Sequence, residues 1–278
     1  MFIYRLNKAL AAIVGIAALW LLFTGDHGWA FHYRLALLLY TSLLILIISG
    51  FAQNNLLGQE RYLRFGVLLF STSIGVYLTF ASTNLLLIGL GWSASGAGAI
   101  LLVNHAKTHK SRRAAIEISR WFVVSESSFW LALLLAHSYH LNLFAQASPN
   151  QDHGSLVINL IALLLLISGV IRSGLFPAMR WLILTVEAPS PLSALLHAGI
   201  VNGFGFLLVL FPIMHRVRYL IVVISLVTIV LALAIMRHRH DEKGKLANGT
   251  SMQMAFMALE GVLGIPDCPT PHYWSWQL

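Results

Sequence analysis

Charge is scarce in this 278-residue chain. Asp, Glu, Lys and Arg make up 10 % of it, against about 25 % in an ordinary soluble domain. A water-soluble fold of this length would have too little charge to cover its surface. Cysteine is scarcer still: the single Cys268 excludes a disulfide scaffold and a cysteine-rich zinc or iron–sulfur site. No phosphate-cradling glycine loop, nucleophile elbow or dinucleotide fingerprint occurs, and Gly96-x-Gly98 sits inside an apolar run, the wrong context for one. Alternating segments of about ten residues, the mark of a membrane barrel, are missing as well. What is abundant is hydrophobicity, at 58 % of residues and a mean hydropathy of +0.78, which excludes disorder. These absences leave an all-α polytopic membrane protein.

A bilayer-crossing helix needs about 20 predominantly apolar residues. Eight such runs occur, at 9–25, 35–52, 65–81, 84–103, 120–137, 155–171, 188–211 and 219–236, with a partial ninth at 250–265. Residues 1–64 read as N-terminal helices and a cytoplasmic loop, 65–265 as the block that carries the remaining spans, and 266–278 as a tail of different character. Arg5 and Lys8 before the first run resemble a secretory signal, but no small-x-small cleavage site follows, so the helix is expected to be retained. Alternating sides at each helix puts every basic residue except Arg34, Arg216 and Arg218 on the side of the N-terminus. Three of 18 is the asymmetry of the positive-inside rule, with a cytoplasmic N-terminus. The net charge of +8 is therefore a topology signal, and nucleic acid is not expected as a partner. The lipid bilayer is.

Polar groups inside spans are costly and mark function by default. Glu126, among Ser125, Ser127 and Ser128, reads either as a proton-relay carboxylate or as an interfacial residue paired with Arg120 or Arg172. Between 168 and 205 the pattern breaks. Arg172 follows an apolar helix that Pro177 is expected to interrupt, residues 178–187 read as a short amphipathic stretch near the interface, and Pro189 and Pro191 open the next span. A Gly/Pro-interrupted segment points to a transport site. His197, about 13 Å past residue 188 at 1.5 Å per residue, falls near mid-membrane, as a proton shuttle or a packing residue. Gly199-x-x-x-Gly203 permits close helix approach. His105-x-x-x-His109 and His238-x-His240 have ligand-like spacing, but no carboxylate stands near the first, and a His-box metalloenzyme is the weakest reading. No metal is expected in this chain.

The string Glu187-Ala-Pro-Ser-Pro-Leu-Ser-Ala-Leu-Leu-His-Ala-Gly resembles the broken helix of the proton-translocating antiporter-like membrane subunits. That family includes NADH-quinone oxidoreductase chain 5 (subunit L), Mrp antiporter subunits and the inorganic-carbon transporter subunit DabB. Lys243-Gly-Lys-Leu-Ala-Asn-Gly-Thr, Gln253-Met-Ala-Phe-Met, Gly58-Gln-Glu-Arg-Tyr-Leu-Arg-Phe and Asn84-Leu-Leu-Leu-Ile-Gly-Leu-Gly-Trp fit in order and spacing, so the likeness covers about residues 26–265. The wording leans toward the DabB branch. Where the oxidoreductase chain carries a proton-path Glu after the tryptophan, this sequence has Trp92-Ser93. The family's helix lysine corresponds to Arg172, which holds charge but cannot release a proton.

The resemblance implies a proton or sodium path through Arg172, Glu187, His197, Glu126 and Lys243. It also implies a complex in the cell inner membrane with a DabA-like, zinc, carbonic-anhydrase-like partner that hydrates CO₂. No cofactor is expected in this chain, which reads as a transport subunit rather than an enzyme by itself. The alternative assembly is a respiratory oxidoreductase. Family members run near twice this length, so the chain reads as C-terminally truncated: an inactive fragment, or half of a channel completed by a separately encoded second half.

Overall fold

The computed structural model describes residues 2–24, 29–58, 61–144, 155–185, 196 and 202–263. Among them all regular structure is helical: α1 Phe2–Thr24, α2 Trp29–Asn55, α3 Tyr62–Ala81, α4 Leu85–Val103, α5 His109–Ser138, α6 Ser155–Arg172, α7 Met179–Leu184, α8 Gly203–Leu210, α9 Arg218–His238 and α10 Glu242–Leu263. The protein is an all-α, multi-pass membrane protein. Of the described helices, α1 to α5 and the segment Pro212–His238 around α9 are long and apolar enough to cross a bilayer, and Leu156–Arg172 is a shorter apolar helix. Lipid leaves no other option, because every backbone polar group must be satisfied within the segment. Of the expected span 188–211, only Leu196 and residues 202–211, which include α8, are described.

Local chemistry sets several ends. Asn84 caps α4 by accepting from the Leu86 amide at 2.8 Å, and Thr108 caps α5 by accepting from the Ser111 amide at 3.1 Å. That cap starts α5 eleven residues before the apolar run at 120, and the helix is 30 residues long. The α10 helix likewise begins at Glu242 rather than at 250. Lys243, read as a loop residue, therefore lies in its first turn.

The break after α6 is made differently from the expectation. Proline does not interrupt the helix; glycine closes it. Gly174 adopts φ +61°, and the Leu175 amide reaches back to the Val170 carbonyl at 3.0 Å, the six-to-one bond of a Schellman ending. Pro177 follows three residues later, in the connection to α7. The Trp181 indole donates to the Ile171 carbonyl at 2.6 Å, and the Phe176 amide donates to Thr228 Oγ of α9 at 2.9 Å. The segment 178–187 was expected near the interface, yet α7 packs inward: Trp181 and Leu182 are fully buried and only Arg180 turns outward.

Successive helices pack side by side, closest where small residues meet. A methyl group on Gly91 would lie 2.6 Å from the Gly75 carbonyl oxygen, and one on Gly75 would lie 2.7 Å from the Ser95 amide nitrogen. The α3 and α4 backbones are therefore nearly in contact, as small-residue faces allow in lipid. Ser125 of α5 donates to the Ser168 carbonyl of α6 at 3.0 Å. Together these contacts fix α4, α5 and α6 around one point.

Candidate functional site

That point is Arg172. The last residue of α6 sends a side chain only 1 % exposed into the bundle. Its Nη1 donates to Glu126 Oε1 of α5 at 2.9 Å, and its Nη2 donates to the Trp92 carbonyl and, at 2.6 Å, to Ser95 Oγ of α4. The guanidinium carbon lies 4.6 Å from the Trp92 ring centroid and 4.8 Å from that of Phe122, inside the range where a cation gains from an aromatic face. Five contacts from four residues on two helices hold one charge. Arginine suits this place because its planar fork satisfies several acceptors at once.

Glu126 is held on its other oxygen. Ser93 Oγ donates to Glu126 Oε2 at 2.6 Å while accepting the Trp130 indole N–H at 2.9 Å. The carboxylate thus carries one bond from a cation and one from an oriented hydroxyl. Its side chain is 22 % exposed where that of Arg172 is 1 %. Of the pair, only Glu126 has an opening.

Depth follows from α4. That helix is 19 residues long, about 28 Å at 1.5 Å per residue and so close to the thickness of the hydrocarbon core. Ser93 stands at its middle. Glu126 is in hydrogen-bond contact with Ser93 and therefore lies near mid-membrane, not at the interface. Its partner is Arg172; Arg120 pairs instead with Glu117, at 3.7 Å. Arg172, assigned by side alternation to the cytoplasmic flank, places its guanidinium at this same mid-membrane level.

Glu187, Pro189, Pro191 and His197 lie outside the described residues. Lys243 is on the backbone of α10, and its side chain is not among those described. His105 closes a short 3₁₀ turn, Asn104–Ala106, while His109 begins α5, with Lys107 at φ +52° between them. The two do not share a helical face, and among the described residues no group of three or more His, Cys, Asp or Glu side chains gathers as a metal site. His105 packs edge-on against Phe65, with ring centroids 5.2 Å apart. Burial first, then the positive charges of Arg64 and Arg61, push its imidazole below the usual histidine pKa.

Residues 82–265 match the NADH:quinone oxidoreductase/Mrp antiporter transmembrane family, a stretch that contains the whole cluster around Arg172. The chain belongs to that family. Among curated relatives, the probable inorganic carbon transporter subunits DabB of Bacillus anthracis and Bacillus subtilis are 30 % and 29 % identical over 79 % and 78 % of this chain, covering 44 % and 45 % of their own lengths. The chloroplastic NAD(P)H-quinone oxidoreductase subunit 5 of Buxus microphylla is 27 % identical over 85 % of this chain and 35 % of its own. The chain thus spans less than half the length of these relatives. A chain of respiratory complex I from Thermus thermophilus superposes with a TM-score of 0.77 at 17 % identity, covering 95 % of this chain and 59 % of that one. A chain of an archaeal membrane-bound sulfane sulfur reductase gives 0.80 at 15 %, covering 93 % and 59 %.

In this cluster, sequence reading assigned no role at the site to Ser95, Gly96, Phe122 and Trp130. Spacing was the available signal. Phe122, Glu126 and Trp130 recur at i, i+4 and i+8 on α5, and Trp92, Ser93 and Gly96 share neighbouring faces of α4. A methyl group on Gly96 would collide with Arg172 Nη1 and lie 3.0 Å from Glu126 Oε1. The guanidinium is seated directly on the bare backbone there, and glycine is what that seat requires.

Proposed function

We propose that the chain is the ion-conducting subunit, for protons or sodium, of a DabB-like inorganic-carbon uptake complex in the cell inner membrane, with its N-terminus in the cytoplasm. Its partner in this reading is a DabA-like, zinc-bearing, carbonic-anhydrase-like subunit. The observation that carries the ion-conducting part is the Arg172–Glu126 pair, 2.9 Å apart at mid-membrane in a multi-pass chain. Charges so placed mark ion pathways. The carbon-uptake part is supported by the DabB relatives.

The two members divide the work. Arg172 cannot give up its proton in a protein, and its bonds to Trp92 and Ser95 hold it whether or not Glu126 is charged. It is the fixed cation. Glu126 takes up and releases the proton. In the charged form it accepts from Arg172 and Ser93; on protonation the Ser93 hydroxyl turns away and the pair loosens. Ser93, where the resemblance sets a glutamate, passes its hydrogen bond to a carboxylate that has moved to α5. The resemblance extends the path to Glu187, His197 and Lys243.

The test is growth of a carbonic-anhydrase-deficient host in ambient air, rescued by this chain together with a DabA-like zinc-site protein. Glu126→Gln should abolish rescue without lowering the amount of chain in the membrane. Full rescue by the variant overturns the role of Glu126. Co-purification with flavin- or iron–sulfur-bearing partners assigns the chain instead to a respiratory assembly, the reading favoured by the subunit 5 relative.

A further inference from the structure

Beside Arg172, on the side of α3 rather than of α5, lies a cavity of about 20 Å³. That is room for a single water, which needs at least 10–15 Å³ and two to four polar partners. Its polar lining comes from Thr79, Trp92, Ser95 and Arg172, with Gly203 of α8 closing one wall. The Thr79 hydroxyl already donates to the Gly75 carbonyl at 2.9 Å and the Ser95 hydroxyl to the Trp92 carbonyl at 2.8 Å. Both oxygens therefore offer lone pairs. Trp92 is 2 % exposed, and its indole N–H, a donor only, meets no acceptor among the described residues. A buried N–H left in that state is costly.

A ligand must accept from the indole and donate to two hydroxyl oxygens. An anion fails the second requirement and a cation the first. We infer that the cavity is a binding site for one ordered water, which accepts from Trp92 Nε1 and donates to Thr79 Oγ and Ser95 Oγ. Through Ser95, which also accepts from Arg172 Nη2 at 2.6 Å, this water holds the guanidinium on the side away from Glu126. It is the positioning element that keeps Arg172 in place when Glu126 takes its proton. That role rests on Glu126 being the group that is protonated; the water site does not.

The experiment is a high-resolution cryo-EM map of the purified complex in nanodiscs, paired with proton flux in proteoliposomes. Thr79→Val keeps shape while removing an acceptor, and Trp92→Phe removes the donor; neither removes the Arg172–Glu126 pair. Density within hydrogen-bonding distance of Trp92 Nε1 is expected in the unmodified protein and lost in both variants. Flux should fall about tenfold in each, the scale of one ordinary hydrogen bond. Absence of density in the unmodified protein, or density that survives both substitutions, overturns the site. Loss of density with unchanged flux overturns its positioning role. If Glu126→Gln keeps full flux while the density is present, proton uptake by Glu126 fails and the water site stands.

Discussion

Gly96→Ala separates a special seat from an ordinary helical glycine. By helix propensity alone, alanine for glycine inside a helix stabilises by about 0.5–1 kcal/mol. At Gly50 of α2 nothing lies within 4 Å of the added methyl, so Gly50→Ala should show that gain or no change. At Gly96 the methyl meets Arg172 Nη1 and comes within 3.0 Å of Glu126 Oε1. The guanidinium has little room to retreat, since Trp92, Ser95 and Phe122 bound it and the cavity beside it is only water-sized. The site either absorbs the extra volume, at about 1–3 kcal/mol, or lets the guanidinium move off Glu126, which forfeits a charge-assisted bond worth about 1.5–3 kcal/mol. Less the propensity gain, Gly96→Ala should destabilise by about 2 kcal/mol. In a chain of this size that lowers the melting temperature by about 4–8 °C. Tryptophan fluorescence during thermal unfolding in detergent measures it. The cost should also shrink in a Glu126→Gln background, because residues sharing one network couple. A Gly96→Ala protein as stable as Gly50→Ala, or a cost identical in both backgrounds, refutes the account of the seat.

Three further outcomes follow from the same geometry. Moving the carboxylate back across the gap, with Ser93→Glu and Glu126→Ser together, should restore part of the flux that Glu126→Gln removes; a double variant as inactive as Glu126→Gln would show that α5 itself, not the carboxylate, is what matters. Removing the counter-ion by Arg172→Met should abolish flux, and it leaves a Glu126 that is part-exposed rather than fully enclosed, so chain levels in the membrane should fall less than expected for stranding a fully buried charge; full flux would exclude Arg172 from the path. His105 has a folded pKa below its ordinary value of about 6.5, so the unfolded chain binds a proton first as pH falls. Stability is therefore full above about pH 6.5 and declines below it until the folded imidazole also protonates; His105→Asn should flatten this decline in melting temperature between pH 7.5 and pH 5, and an unchanged slope would remove His105 as its source.

The sequence carried the helices because apolar length needs no partner to be recognised, and the basic residues supplied an expectation of which ends share a side. Neither signal says which face of a helix meets which neighbour. Glu126 and Arg172 stand 46 residues apart and Ser93 and Glu126 33 apart, so their meeting depends on the register of three helices, which local periodicity does not encode. Glu126 looked interfacial because the apolar run begins at 120, whereas the Thr108 cap starts the helix at His109 and Ser93 fixes its depth. Pro177 looked like the helix breaker because proline disfavours a helix interior, while Gly174 reveals its part only through a positive φ. Ser95 and Trp130 carry no motif; they matter through the atoms they touch.

The length of α5 has a consequence for the membrane around it. Thirty residues make a rod of about 45 Å, against a hydrocarbon core of about 30 Å. The surplus of about ten residues gathers Lys110, Arg112 and Arg113 at one end, while Glu126 sits further along the same rod. Headgroup attraction at the first end and hydrophobic mismatch along the rest both act on its tilt. A tilt of α5 that α6 did not share would shift Glu126 against Arg172, and the Ser125–Ser168 bond between the two helices resists that separation.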